Sequence, residues 1–138
     1  MGYDIYCASE DHDTLPVGDC LMDLGDRGLE EGLCFHVNVA GMMALREEME
    51  AQGMFAGGKP PSSLLEGWQS VRSDKPGIAW WKLQSNDGWL ISADELNEAL
   101  EGVSQTPVTL HDEHGRRLWA EFLMFLRHCA SHGGCVVW

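Results

Sequence analysis

His128 and His132 stand four residues apart, with Cys129 and Cys135 beside them. On a helix that interval is close to one turn, a spacing that suits two zinc-binding imidazoles on one face. At about 100° per residue Glu121 falls on the same stripe, so Glu121, His128, His132 and Cys135 form a candidate metal set. Cys129 projects away from it, into an apolar arc. Cys135 reaches the imidazoles only if Gly133-Gly134 swings the chain back. No further zinc motif accompanies the pair, and two boundary histidines beside a buried cysteine are the simpler account. The expectation is no cofactor, with zinc as the ion such a set would take.

Other chemistry-bearing types are weaker. Cys34 and His36 share one face of an expected strand, but residues two apart there lie about 6–7 Å from each other, which strains a thiol–imidazole pair. His111-Asp112-Glu113-His114 precedes a long helix, where acids favour the positive end of the dipole without any catalytic purpose. Glu10-Asp11-His12-Asp13, and Asp19, Asp23 and Asp26, lack the alternate acids, central glycine and closing glutamate of a calcium loop. Gly57-Gly58-Lys59 fails as a phosphate cradle because Pro60 and Pro61 remove the amides that would follow. There is no GxSxG, HExxH or dinucleotide fingerprint. Of the six tryptophans, Trp68, Trp80, Trp81 and Trp89 cluster around the least acidic stretch, residues 59–82. Exposed, they would stack on a nucleotide-like ligand or anchor a protein partner. Buried, they fill a core that has only four phenylalanines.

These residues sit on elements that patterning marks out. Tyr3 to Ala8 alternates as a first strand, and Leu33, Phe35, Val37 and Val39 as a second. Asn38 then caps a helix whose apolar stripe is Met42, Leu45 and Met49, with Arg46, Glu47, Glu48 and Glu50 on the wet face and Gly53 at its end. Ser62 to Val71 suggests a short helix weakened by Gly67. Ile78 to Gln84 suits strand or helix. Asn86-Asp87-Gly88 is a turn leading into a short strand at Trp89. Ser92 and Glu95 form a capping box for a helix ending near Gly102. The longest helix spans Arg116 to about His132, and Cys135-Val136-Val137-Trp138 reads as a terminal strand. Residues 9–32 read as a long acidic surface loop. The pattern predicts one α+β domain over 1–138, with a mixed or antiparallel sheet of three to five strands against three or four helices.

The 138-residue chain carries a net charge of −13, unevenly distributed. Asp4, Glu10, Asp11, Asp13, Asp19, Asp23, Asp26, Glu30 and Glu31 face only Arg27 in the first 31 residues. Without a basic stripe, binding to a nucleic-acid backbone is disfavoured, as is an anionic membrane surface. The opening residues lack a basic leader with an apolar run, and no stretch approaches the ~20 apolar residues of a membrane span. Five cysteines without a CxxC pair suggest reduced thiols and a cytoplasmic location.

Met1-Gly2-Tyr3-Asp4-Ile5-Tyr6, the passage Phe35-His36-Val37-Asn38-Val39-Ala40-Gly41-Met42 and Ser85-Asn86-Asp87-Gly88-Trp89 resemble segments of small proteins of actinobacteria and their phages. The resemblance implies no site residue; a phage association would suit an inhibitor of a host process. The charge pattern by itself predicts a non-enzymatic binding protein of the inhibitor or immunity type. Its acidic residues Glu10, Asp11, Asp13, Asp19, Asp23, Asp26, Glu30 and Glu31 would engage a basic surface on a protein partner. A pocket protein using the tryptophans or the His/Cys set is the alternative. Self-association remains compatible with either reading.

Overall fold

In the computed structural model, which describes residues 2–7, 34–103 and 107–138, the two alternating N-terminal runs pair with each other. β1 (Gly2–Cys7) and β2 (Cys34–Asn38) are antiparallel, with Tyr3 opposite Val37 and Ile5 opposite Phe35. All four are buried in the main core, as period-two patterning requires of one sheet face. β6 (Cys135–Val137) lies antiparallel on the other side of β1, and β5 (Trp89–Ile91) completes the order β2-β1-β6-β5. The expected terminal strand is thus an interior one. Its ladder continues one residue further, because the Trp138 amide donates to Asp4 O at 2.8 Å and the Asp4 amide to Trp138 O at 2.7 Å.

Among the described residues three helices accompany this sheet: α1 (Val39–Ala51), α2 (Ala93–Leu100) and α3 (Glu113–Ala130). Asn38 Oδ1 accepts the Gly41 amide at 2.7 Å, and both arms of the Ser92–Glu95 capping box are formed. α3 starts at Glu113, three residues before the expected Arg116, with Asp112 as its N-cap. After α3 the chain turns at Gly133 and Gly134, both with positive φ. A Cβ on Gly134 would lie 2.1 Å from Ile91 O, so the strand entry needs glycine both for its conformation and for its closeness to β5.

A second, two-stranded parallel sheet pairs β3 (Phe55–Ala56) with β4 (Ile78–Ala79). The result is the expected α+β class, its main sheet wholly antiparallel. Two local expectations change. Ser62 to Val71 holds only a 3-10 turn at Trp68–Ser70, entered through Gly67 at φ +70°. Ile78 to Gln84 is both alternatives in succession: β4, then a 3-10 turn at Trp80–Leu83.

The core lies between the main sheet and the helices. Phe35 meets Phe122 and Phe125 of α3, with ring centroids 5.3 and 5.7 Å apart. Met42, Leu45 and Met49 are fully buried, as their stripe predicts. On the opposite sheet face Tyr6 and Cys34 form a smaller cluster beneath Trp138.

Candidate functional site

The eight acidic residues expected to meet a partner, Glu10 through Glu31, lie outside the described residues, as does the 9–32 loop that carries them. The other sequence candidates have definite places. His128 and His132 do share a face, their rings stacked at 4.2 Å, and His132 Nδ1 hydrogen-bonds His128 O at 2.8 Å. Glu121 pairs instead with Arg117 at 3.3 Å. Cys135 is fully buried and joins Cys7 and Cys129 in a three-thiol cluster under the sheet. Among the described residues, no group of three or more His, Cys, Asp or Glu side chains is placed to hold a metal ion.

The thiols sit where register puts them. Cys7 and Cys135 face each other across β1 and β6. Hydrogen bonds to Cys135 and Cys7, together with burial, push the Cys129 thiol far up. Cys34 lies apart from these three, buried with Tyr6 on the opposite sheet face. His36 is held by Asp4, 2.7 Å away on the paired strand, rather than by Cys34.

The four clustered tryptophans form two separate edge-to-face pairs. Trp68 meets Trp89 at 4.7 Å and Trp80 meets Trp81 at 5.9 Å. Trp81 and Trp89 are buried, Trp68 is half-buried and Trp80 is 37% exposed. Of these four, Trp80 is the most exposed.

Trp80 opens onto a groove of about 540 Å³ between α1, β3 and the Trp80–Leu83 turn. Met43, Glu47 and Glu50, at i, i+4 and i+7 of α1, line it together with Arg46, and Phe55, Ala56 and Gly57 face them. Arg46 Nη1 donates to Leu83 O and to Gln84 Oε1, both at 3.1 Å, so the groove's own cation is turned onto neutral acceptors. The Glu47 and Glu50 carboxylates make no hydrogen bond or ion pair to any described residue. Trp80 Nε1 donates to Gly58 O at 3.0 Å, which fixes the indole on the rim. Two carboxylates against one guanidinium leave this lining net negative beside an indole, and both features attract a cation: the carboxylates by charge, the ring by its quadrupole within about 6 Å.

A buried ion pair anchors the turn that presents Trp80. Lys82 is fully buried, and its Nζ donates to Glu95 Oε1 at 2.7 Å and to Leu90 O. Burial pulls Lys82 below its usual range, against the opposing effect of the Glu95 carboxylate. Glu95 also accepts from the amides of Ser92 and Ala79, both at 3.3 Å. One carboxylate thereby ties the start of α2, strand β4 and, through Lys82, the groove-bearing turn.

α1 is fixed from its other side by Glu48, which accepts from the Thr109 amide at 3.0 Å, from Thr109 Oγ1 and from Gln52 Nε2 at 3.0 Å. Glu48 is fully buried, correcting its expected place on the wet face. Its signal was Gln52, one turn on and on the same side of the helix. Glu47 and Glu50 read in sequence as an ordinary solvated face; what sets them apart is the wall opposite, which no helical pattern reveals.

Comparison with protein-family models, curated proteins and solved structures finds no match to this chain.

Proposed function

We propose that the protein is a non-enzymatic binding protein of the inhibitor or immunity type, taking a lysine- or arginine-bearing segment of a protein partner into the groove between α1 and Trp80. The observation that carries this reading is the pair Glu47 and Glu50, unpaired among the described residues, beside an exposed indole in a groove whose described lining sets two carboxylates against the single guanidinium of Arg46. Met43, 50% exposed on the same wall, offers a pliable apolar contact for the methylene stem of such a side chain. The surplus acid of the chain, net −13, adds long-range attraction that speeds encounter with a basic partner.

Calorimetric titration with an oligo-arginine peptide tests the reading. Affinity should fall several-fold between roughly 0.05 and 0.3 M salt. E47Q/E50Q and W80A should each weaken it by about tenfold, while E113Q/E121Q on α3 leaves it unchanged. Equal affinity for E47Q/E50Q and the parent protein would remove the groove from the account.

A further inference from the structure

A second groove, of about 720 Å³, runs along α3 opposite the Pro107–Val108 segment. We propose that it binds a free single-chain carboxylate of the fatty-acid class, its chain along the helix and its head group on Arg127. Arg116, Ala120, Leu123 and Arg127 follow one another at i, i+4, i+7 and i+11, a single stripe about 16 Å long. The floor is apolar and buried: Trp119 is 2% and Leu123 8% exposed. Met124, 69% exposed, forms a pliable side wall.

The charge of the groove is the reverse of the chain's. Among the described residues no carboxylate lines it, although the protein as a whole is at −13. The Arg127 guanidinium makes no hydrogen bond or ion pair to any described residue, and the Arg116 guanidinium commits only its Nε, to Leu110 O at 2.8 Å. An apolar trough with a guanidinium at its end matches a ligand with a long apolar body and one anionic oxygen pair, which a guanidinium receives through two parallel hydrogen bonds. The volume falls within the range of about 300–1,000 Å³ usual for small-molecule sites. A free carboxylate is preferred over the same head group on an anionic bilayer, because that surface would repel so acidic a protein.

The test is calorimetric titration with dodecanoate below its aggregation concentration, with dodecanol and anionic phospholipid vesicles as the other arms. The expected result is saturable one-to-one binding of dodecanoate, about tenfold tighter than dodecanol and about tenfold weaker in R127Q. A120F, filling the trough, and M124E, placing a carboxylate at an exposed position beside it, should each abolish binding while leaving the melting temperature near that of the parent. If A120F does not fold, M124E alone decides. The proposal is overturned by absence of saturable binding, by dodecanol binding as tightly, by vesicles binding in place of the monomer, or by M124E binding normally. None of these variants touches Glu47, Glu50 or Trp80, so the oligo-arginine result stands or falls separately.

Discussion

Glu48 illustrates how much one carboxylate fixes in this fold. Burial alone pushes its carboxyl up, but hydrogen bonds from the Thr109 hydroxyl, Gln52 and the Thr109 amide outweigh that and leave it below its ordinary value of 4.5. The unfolded chain then binds the proton more readily than the native one. The stabilisation is full above pH 4.5 and is lost as pH falls through the lowered native value. Glu98, held low by the Gly77 amide and Arg72, acts in the same direction. Melting temperature should therefore decline below pH 4.5, and E48A should flatten that decline while costing about 1–3 kcal/mol at neutral pH. Lys82 is more sensitive: K82M leaves Glu95 buried without its cation and should cost about 3–5 kcal/mol in chemical denaturation. The three buried thiols make a third case. Cys7, Cys129 and Cys135 should resist alkylation by iodoacetamide until the protein is unfolded, since they are fully buried and the Cys129 thiolate is strongly disfavoured. Rapid labelling of the native protein at these positions would contradict that arrangement.

At the scale of elements, legibility followed how local each signal is. Ser92 and Glu95 announce α2 because both partners of the capping box lie within one turn. Asn38 announces α1 for the same reason. Phe35 and Val37 show their face through alternation alone. The stretch from Trp80 to Leu83 is different, since its shape is set by Lys82 reaching Leu90 and Glu95 across the core, a contact no window of neighbouring residues contains. Glu47 and Glu50 were legible as acids on a helix, but their groove exists only because β3 and Trp80 are brought opposite them. The interior position of β6 was likewise hidden, as a short apolar tail signals a strand but not its neighbours. It predicts a clear outcome: removing residues 135–138 takes out the strand between β1 and β5 and should abolish cooperative unfolding. G134A should lower stability by several kcal/mol on the same ladder, because its Cβ meets Ile91 O at a φ of +100°; an unchanged denaturation midpoint would refute the close approach.

For the whole molecule, the consequence is a division of labour between range and contact. On the proposed function, net charge would bring a basic partner near from any direction, while the groove beside α1 would supply the short-range match through two carboxylates and one indole. Salt should therefore slow association more than it speeds dissociation, whereas E47Q/E50Q should do the reverse. The most direct measurement is nuclear magnetic resonance of the labelled protein during titration with an oligo-arginine peptide. The account predicts saturable shifts centred on the Trp80 indole N–H and the amides of residues 43–50. Shifts confined to residues 9–32, with the Trp80 indole and α1 unmoved, would contradict it.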